Sequence, residues 1–383
     1  MDKKNVYLDN NATTPMDDRV IEVMTKVMRE SYGNPSSVYQ VGQKGKKIIE
    51  ESREMISGLL GLKSREIVFT SGGTESNNMA IRGVARCLKK KGMHLITSAI
   101  EHSSVLNTFK DMESLGWEVT YLGVDEKGKV NTEELRRSIK DETVLISIMH
   151  SNNEIGTFQP ITEIGKIAKE KNIIFHVDGV QSVGKIKIDF ENIDLFSFAA
   201  HKFYGPKGIG ALYVKSGVKI EKLITGGHQE RNRRAGTENV PGVCGMAKAL
   251  EITLENLYVE MEKEKKLRDY MEKKILENIG KVTINGDLSN RLSNTSSISF
   301  EKVEAESLLF ALDMKGIAVS AGSACASSTL SPSHVLEAIG FSISKAKSTL
   351  RISLGRFTQK EEIDYFVEIL EMAVGNERNL NII

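Results

Sequence analysis

The chain has 383 residues, 40% of them hydrophobic and 27% charged, and its formal net charge is +1. This length allows about two domains of roughly 150 residues each, and the composition is that of a globular protein. The balanced charge gives no electrostatic footprint for nucleic acid or an anionic membrane, so we predict neither as a partner. The N-terminal residues contain no apolar signal segment, and no stretch approaches ~18 consecutive apolar residues, so no membrane span is expected.

From about residue 16 to residue 255, strand-like and helix-like segments alternate. Short runs rich in β-branched residues predict strands over 66–70, 94–97, 144–149, 173–177 and 210–214. Helical periodicity lies between most of them, for example over 76–90 and 162–171. The alternation predicts an α/β fold with a mostly parallel sheet covered by helices on both faces, and functional sites at the carboxyl ends of its strands.

The composition changes after this region. Residues 251–277 form a charged, amphipathic stretch with almost no helix breakers, which predicts one long helix linking two domains. Beyond it, a mixture of strand-like and helix-like segments predicts a smaller α+β domain. We therefore predict a large domain over 16–258 and a small domain formed by 1–15 together with 259–383.

The three cysteines are too few and too scattered for a disulfide framework or a zinc cluster. We therefore expect a reducing, cytoplasmic environment and no resident metal. Cys87 falls inside a helical pattern and is predicted to be buried and inert. Cys244 lies near the start of a helix-like run and is predicted to be structural.

Lys202 is the most informative residue of the chain. It follows an apolar run and precedes a glycine-rich turn, in Ser197-Phe-Ala-Ala-His-Lys-Phe-Tyr-Gly-Pro-Lys-Gly208. We expect its aromatic and small neighbours to desolvate the amine, which would lower the lysine pKa and make the amine nucleophilic. A nucleophilic lysine forms imines with aldehydes, and the commonest aldehyde cofactor of amino-acid chemistry is pyridoxal phosphate (PLP). A structural lysine is the alternative, and other segments favour the cofactor.

A phosphate cradle is predicted directly after the first strand of this region. Ser71-Gly-Gly-Thr-Glu75 follows strand 66–70 and opens a helix. Glycines such as Gly73 let the backbone approach an anion, the helix N-terminus supplies N–H groups, and Thr74 adds a hydroxyl. The alternative is a glycine-rich turn in which Thr74 only caps the helix.

Four polar residues follow other predicted strands. Asp178 comes after strand 173–177, and a buried aspartate keeps the pyridine nitrogen of PLP protonated. Gln181, three residues on, can reach the ring oxygen of the cofactor. His102 can stack on the pyridine face and act as a general acid or base. Asn153 can bind the ring oxygen or a substrate carboxylate. A helix cap or a structural polar residue is the alternative for each.

Cys325 and Arg351 form a second centre. Cys325 lies among small residues between Ser320 and Pro332, which give the thiol little apolar cover, as is typical of a mobile, exposed cysteine. An idle cysteine in a flexible loop is the alternative, and a transient iron–sulfur species on this thiol stays open. Arg351 is suited to bind a substrate carboxylate through a bidentate pair, with a salt bridge to a nearby acid as the alternative.

Taken together, these segments resemble the cysteine desulfurases of the NifS and IscS types, which are PLP enzymes of fold type I and of aminotransferase class V. The resemblance runs from residue 7 to residue 357, essentially the whole chain. The motifs that carry it are Tyr7-Leu-Asp-Asn-Asn-Ala-Thr-Thr14, Thr70-Ser-Gly-Gly-Thr-Glu-Ser76, Glu101-His102, Asn152-Asn-Glu-Ile-Gly156, His176-Val-Asp178, His201-Lys202, Arg234-Ala-Gly-Thr237, Gly322-Ser-Ala-Cys325 and Arg351-Ile-Ser-Leu-Gly-Arg-Phe357. It implies PLP-dependent transferase fold type I, with a seven-stranded type of sheet in the large domain.

The resemblance also implies how PLP is bound. Lys202 would hold the cofactor as an imine, Asp178 would protonate its pyridine nitrogen, Gln181 and Asn153 would bind its ring oxygen, and His102 would stack on the ring.

The phosphate would be bound at Gly73 and Thr74, by His201, and by Thr237 of the neighbouring subunit, so a homodimer is expected. Relatives add a serine hydroxyl three residues before the lysine. Here that position is Ala199, and the missing hydrogen bond would weaken the phosphate contact by ~1 kcal/mol.

The implied reaction converts L-cysteine to L-alanine. Arg351 and Asn153 would orient the substrate carboxylate, while Lys202 and His102 transfer protons. Cys325 would attack the substrate sulfur and carry it as a persulfide to an acceptor, such as a scaffold protein for iron–sulfur cluster assembly.

The acceptor and the selectivity stay open at this stage. The chain stops at Ile383, whereas housekeeping members of the family carry a longer tail that contacts their scaffold. A basic cluster of Arg231, Arg233 and Arg234 would suit an acidic partner or be a plain solvated surface. A selenocysteine lyase is the nearest alternative function, followed by an aminotransferase and a catalytically silent sulfur-handling scaffold.

Overall fold

The computed structural model describes residues 5–321 and 332–380. Cys325 and most of its small-residue loop therefore lie outside the described residues. The described strands are β1 (Val6–Tyr7), β2 (Ile67–Thr70), β3 (His94–Ser98), β4 (Glu118–Leu122), β5 (Thr143–Met149), β6 (Ile174–Asp178), β7 (Leu195–Ala199), β8 (Gly210–Val214), β9 (Val282–Ile284), β10 (Thr295–Phe300), β11 (Ile317–Ala318), β12 (Ser320–Ala321) and β13 (Thr349–Ser353).

The described α-helices are α1 (Asp18–Glu30), α2 (Gln40–Leu60), α3 (Gly73–Leu88), α4 (Ser103–Ser114), α5 (Thr132–Ser138), α6 (Ile161–Glu170), α7 (Gln229–Asn232), α8 (Val240–Glu255), α9 (Leu257–Asn278), α10 (Ala305–Met314), α11 (His334–Ala338), α12 (Ile343–Lys347) and α13 (Lys360–Leu380). Two single turns of 3-10 helix, Ser64–Glu66 and Ala200–Lys202, precede β2 and follow β7. None of the described helices is long and apolar enough to cross a membrane.

A seven-stranded sheet in the order β2-β8-β7-β6-β5-β3-β4 forms the larger part of the protein. Strand β8 pairs antiparallel with both β2 and β7, and every other neighbouring pair is parallel. The predicted mostly parallel α/β sheet is therefore confirmed. Because β2 runs in the same direction as the parallel strands, the carboxyl ends of six strands lie at one edge of the sheet.

Helices cover both faces of this sheet. Successive residues of a strand point to opposite faces, so Ile67 and Phe69 of β2 pack in one core while Val68 packs in the other. All seven residues of β5 are buried, as expected for a strand covered on both sides.

A second sheet has the antiparallel order β12-β13-β10-β9. Its core is separate and includes Met271 of α9, Leu308 of α10 and Phe366 of α13. The N-terminal strand β1 pairs with β11, and Asp9 bridges to Ser353 of β13, so the chain begins against this smaller sheet and not against the large one.

The prediction of one helix over 251–277 is wrong, because the helix is interrupted at Asn256, between α8 and α9. The backbone there leaves the helical conformation (φ −108°, ψ 6°), and the Asn256 side-chain amide donates to the Ile252 carbonyl at 2.9 Å. An asparagine that bonds the backbone in this way ends a helix.

Two further details differ from the prediction. Cys87 is half-buried and not fully buried, since it lies at the edge of the buried face of α3, beside the exposed Arg86. Two of the three arginines in the basic cluster are paired with acids: Arg231 with Glu50 and Arg234 with Glu75, each at 2.8 Å.

A buried ion pair holds the segment before α8 against the large sheet. Arg53 of α2 and Glu230 have side chains only 2% and 3% exposed and form two N–O contacts of 2.8 Å. Glu230 also accepts from the Phe69 backbone N–H at 2.8 Å. Glu230, Arg231 and Asn232 all have positive φ angles, a strained conformation that such a buried contact can maintain.

Replacing Arg53 with methionine is expected to destabilise the protein by about 3–5 kcal/mol, because Glu230 would be left as an uncompensated buried charge. The free energy of unfolding in urea measures this loss. Arg231→Met is the matched control. The partner of Arg231, Glu50, is partly exposed, so losing this ion pair should lower the free energy of unfolding by less than about 1 kcal/mol. Equal losses in both variants would contradict this account.

Candidate active site

The predicted site residues collect at the carboxyl edge of the large sheet. Asp178 is the last residue of β6, whereas the prediction placed it directly after the strand. Lys202 is the last residue of the single 3-10 turn that follows β7. The segment Ser71–Gly72 links β2 to α3, His102 is the N-cap of α4 after β3, and Asn153 follows β5.

The amine of Lys202 is held by the N-terminal segment. Its Nζ donates to the carbonyl oxygens of Asn11 at 2.5 Å and Ala12 at 2.8 Å. Of its two aromatic neighbours, Phe203 packs in the main core, and the centre of the Tyr204 ring lies 4.1 Å from the Arg356 guanidinium carbon. Lys202 is half-buried, and carbonyl oxygens orient its amine.

The carboxylate of Asp178 is buried and bound on both oxygens. Oδ2 accepts from the Asn77 side-chain amide at 2.7 Å, and Oδ1 accepts from the Val180 backbone N–H at 3.0 Å. A buried anion at this edge is the group that a pyridinium nitrogen requires.

The imidazole of His102 is oriented by Ser104. Its Nδ1 lies 2.8 Å from the Ser104 hydroxyl and 3.1 Å from the Ser104 backbone N–H. Burial lowers the pKa of His102, the Asp178 carboxylate raises it, and the positive charge of Lys202 lowers it again.

Gln181 belongs to a network that includes a second buried lysine. The Gln181 amide nitrogen donates to the Asn11 carbonyl at 2.8 Å, and its oxygen accepts from Lys185 Nζ at 2.9 Å. Lys185 also donates to the Asn11 side chain at 2.9 Å. Burial lowers the pKa of Lys185 to about 7, and the buried carboxylate of Glu264 opposes that shift. Asn11 thus connects Gln181, Lys185 and Lys202.

The segment around Gly73 has the shape of an anion cradle. A Cβ built on Gly73 would lie 2.6 Å from Val180 Cγ2, so only glycine allows this approach. Helix α3 begins at Gly73, and the Gly72 before it has no side chain to cap the first N–H groups. Thr74 lines a pocket of about 290 Å³ together with Ser104. These features fit a phosphate.

His201 and Thr237 lie apart from one another. His201 Nδ1 is 3.2 Å from the Thr13 hydroxyl, and burial lowers its pKa to about 4, so it is neutral near pH 7. Thr237 is exposed, in the segment before α8. That segment is tied to the cradle, since Arg234 forms two contacts of 2.8 and 3.0 Å with Glu75.

Arg351 lies on β13, at the side of the site formed by the smaller sheet. Its Nη2 pairs with Asp9 at 2.7 Å, and its Nη1 donates to the Asn153 carbonyl at 3.3 Å. The sequence alternative of a salt bridge is therefore present. The Arg351 Nε is buried and has no partner among the described residues. Asn153 contributes its backbone carbonyl to both Arg351 and Asn11.

Both described ends of the segment that contains Cys325 are attached at this site. On one side, Ser320 of β12 pairs with Arg351. On the other, the Ser333 hydroxyl donates to Glu154 at 2.5 Å, and His334 Nε2 lies 2.9 Å from the Glu101 carbonyl. Cys325 is four positions from Ala321, a covalent reach of at most about 14 Å.

Among the described residues, no group of three or more His, Cys, Asp or Glu side chains could hold a metal ion.

A family model described as aminotransferase class V matches residues 6–366. The chain belongs to this family. A cysteine desulfurase IscS of Dictyoglomus turgidum is 50% identical over 381 residues, which make up 99% of this chain and 97% of that protein. A cysteine desulfurase IscS of Methanosarcina thermophila is 50% identical over 382 residues, 99% of this chain and 94% of that protein.

Solved structures are also similar to this chain. One described as a NifS-like protein is 41% identical with a TM-score of 0.92, covering 97% of this chain and 100% of its own. Another, described as SspA in complex with cysteine, is 39% identical with a TM-score of 0.82 and covers 93% and 100%. The resemblance to the cysteine desulfurases is confirmed, as are the type I fold and the dependence on PLP. None of these relatives supports a selenocysteine lyase.

Sequence reasoning missed the residues that orient the predicted site residues. Asn11, Asn77, Ser104 and Lys185 all contact predicted site residues in the structure. Asn11 lies within the recognised motif of residues 7–14, and Asn77 directly follows the motif of residues 70–76. The sequence signal that could have identified them is a polar residue inside or next to such a motif, at a position predicted to be buried.

Glu101 gives the site a pH-dependent stability. Its Oε1 accepts from Ser98 and from the Met149 N–H, its Oε2 has no partner among the described residues, and burial raises its pKa from 4.5 to about 8. Between pH 4.5 and about pH 8 the folded protein keeps this proton, whereas the unfolded chain has lost it. This carboxyl therefore favours folding most below pH 4.5 and less as the pH rises to 8.

Glu101→Gln is expected to flatten the fall of the melting temperature between pH 5 and pH 8, because glutamine does not ionise. The slope removed is at most about 1.4 kcal/mol per pH unit. Melting curves of both proteins across this range measure it, with the exposed Glu126→Gln as control. Parallel curves for wild type and Glu101→Gln would contradict the assignment.

Proposed function

We propose that this chain converts L-cysteine to L-alanine and retains the sulfur as a persulfide on Cys325. The observation that carries the proposal is the position of the residues on either side of the Cys325 segment. Before the segment, Ser320 pairs with Arg351. After it, Ser333 and His334 bond Glu154 and the Glu101 carbonyl. A thiol on such a segment has the site within its covalent reach.

The buried Asp178, the glycine cradle at Gly73 and the oriented amine of Lys202 fit PLP, which would be bound by these residues with Thr74, His201 and Gln181. When bound, PLP supplies an electron sink for negative charge that develops at the α-carbon of an amino acid. Asp178 would keep the pyridine nitrogen protonated, and His102 would cover the ring.

The remaining steps belong to side chains of this chain. Arg351 binds the substrate carboxylate, and the Asn153 carbonyl keeps its guanidinium oriented. Lys202 takes the proton from the α-carbon, and His102 exchanges protons with the substrate. The carbonyls of Asn11 and Ala12 accept hydrogen bonds from the Lys202 amine and keep it oriented.

In the sulfur step, one sulfur atom is transferred from the substrate to Cys325. The Cys325 thiolate attacks the substrate sulfur, so the bond between sulfur and the β-carbon breaks and a sulfur–sulfur bond forms. The carbon fragment keeps the bonding electrons, takes up a proton and leaves as L-alanine. A second thiol, from an acceptor protein or a reductant, then receives the outer sulfur and restores Cys325.

Arg351→Lys is expected to raise the KM for L-cysteine about 10- to 100-fold with a smaller change in kcat, because lysine cannot form the bidentate pair. Asp9→Asn is the matched control, since it removes the salt bridge and keeps the guanidinium. Its KM should stay within about twofold of wild type. An unchanged KM in Arg351→Lys would assign the arginine to structure alone.

The proposal includes a homodimer. Tyr32 and Val38 are 81% and 92% exposed, in the segment between α1 and α2 that passes close to α8. Such an apolar surface suits a second copy, and the exposed Thr237 would reach the partner's phosphate site. We also propose a cytoplasmic location and a sulfur acceptor that is a scaffold for iron–sulfur clusters. Sedimentation analysis tests the dimer.

The activity is tested by measuring alanine from L-cysteine in the presence of a thiol reductant. A stoichiometric release of alanine and sulfide supports a desulfurase. Equal or higher rates on L-selenocysteine that survive the loss of Cys325 would indicate a lyase. Amination of a keto acid without sulfur release would indicate an aminotransferase.

A further inference from the structure

Asn77 connects two of the groups that would face the cofactor. It lies in the first turns of α3 and is 1% exposed. One amide nitrogen donates to Asp178 Oδ2 at 2.7 Å and to the Ser104 hydroxyl at 2.9 Å. Through these bonds α3 is linked to the end of β6 and to the start of α4.

The orientation of this amide follows from its partners. A charged carboxylate can only accept, so the atom facing Asp178 must be the nitrogen of Asn77. The Asn77 Oδ1 is then buried without a partner among the described residues. An unsatisfied buried oxygen destabilises the folded protein, and the two bonds that the amide nitrogen donates offset this cost.

The second bond determines how Ser104 meets His102. The Ser104 hydroxyl accepts from Asn77 and has one proton of its own, and His102 Nδ1 lies 2.8 Å away. The Ser104 backbone N–H, which can only donate, also points at His102 Nδ1 at 3.1 Å. With two donors directed at it, Nδ1 is an acceptor, and the proton of the neutral ring lies on Nε2.

We propose that Asn77 is a positioning residue: it orients the Asp178 carboxylate and, through the Ser104 hydroxyl, holds His102 as a neutral imidazole with its proton on Nε2. His102 then presents a proton donor, and not a base, to a substrate that arrives. This last consequence rests on the proposed function, whereas the state of the imidazole does not.

The charges around His102 give the expected direction of change. Asp178 favours the imidazolium, whereas Lys202 and His334 oppose it. Removing Asn77 frees the Ser104 oxygen to accept a proton from Nδ1. This change favours protonation of His102, so its pKa should rise by about one unit, a tenfold shift in the protonation equilibrium.

The test is a titration of protein labelled with ¹⁵N-histidine, without substrate, in wild type, Asn77→Leu and Ser104→Ala. The seven histidines are separated by assigning His102 from the spectrum of His102→Gln. We expect a wild-type Nδ1 that is unprotonated near neutral pH, the full tenfold shift in Asn77→Leu, and a smaller one in Ser104→Ala. Identical titrations of His102 in all three proteins would overturn the proposal.

Asn285→Leu is the matched control. Asn285 is also buried, donates to the hydroxyls of Ser297 and Ser299, and has an Oδ1 without a partner in the described part of the chain, but it lies beside the smaller sheet. This variant should lose stability and leave His102 unchanged. If Asn77→Leu fails to fold, Ser104→Ala still decides the tautomer. A shifted His102 in a protein that makes no alanine would keep this proposal and refute the proposed function.

Discussion

Lys202→Ala is expected to lower the rate of alanine formation from L-cysteine by at least about 10⁴-fold. Under the proposed function, the variant loses both the amine that would bind the cofactor and the base that would act at the α-carbon, and each role is worth orders of magnitude. The carbonyls of Asn11 and Ala12 would remain in place, because they belong to the N-terminal segment and not to the lysine. The fold should therefore persist.

Borohydride reduction gives a readout independent of turnover. In wild type it should fix PLP to the peptide that contains Lys202, and in Lys202→Ala no peptide should carry the cofactor. Lys207→Ala, an exposed lysine five residues on, serves as the control and should behave as wild type. Fixation of PLP at Lys185, the other buried lysine of the site, would show that the cofactor ligand has been assigned to the wrong residue.

Cys325→Ser is expected to reduce alanine formation by at least about 100-fold while leaving PLP bound. A hydroxyl is a far weaker nucleophile than a thiolate at neutral pH, so the sulfur is not removed from the substrate. Cofactor binding should not change, because the residues proposed to hold the cofactor, such as Asp178, Lys202 and Gly73, lie in other segments of the chain.

The two other cysteines provide the controls. Cys87 and Cys244 are half-buried in α3 and α8, and burial raises the pKa of the Cys244 thiol, which disfavours the thiolate. Serine at either position should leave the rate within about twofold of wild type. Alanine formation that survives in Cys325→Ser would exclude the persulfide route.

The edge of the sheet where the site lies could be predicted from the sequence. Runs of β-branched residues mark β2, β5, β6 and β8 to within two residues, since a strand buried on both faces tolerates little else. The helix break at Asn256 was missed because charge and periodicity continue across it, whereas the backbone of Asn256 leaves the helical conformation and its side chain bonds the Ile252 carbonyl.

Some of the candidate site residues could be predicted from the sequence and others could not. Lys202 and Asp178 could be predicted because each follows a strand and has a chemistry that PLP requires. Asn11 and Lys185 could not, because their importance comes from contacts over long sequence separations: Asn11 meets Lys202 and Lys185 across more than 170 positions. Hydrogen bonds between segments so far apart leave no periodic signal in a single sequence.

The most direct test of the account is to locate the sulfur after one turnover. The protein is mixed with L-cysteine without a reductant, digested under conditions that preserve persulfides, and examined by mass spectrometry. We predict one additional sulfur atom on the peptide that contains Cys325 and none on the peptides with Cys87 or Cys244, with one alanine released for each sulfur retained. Alanine released in that amount while Cys325 stays unmodified would contradict the central claim.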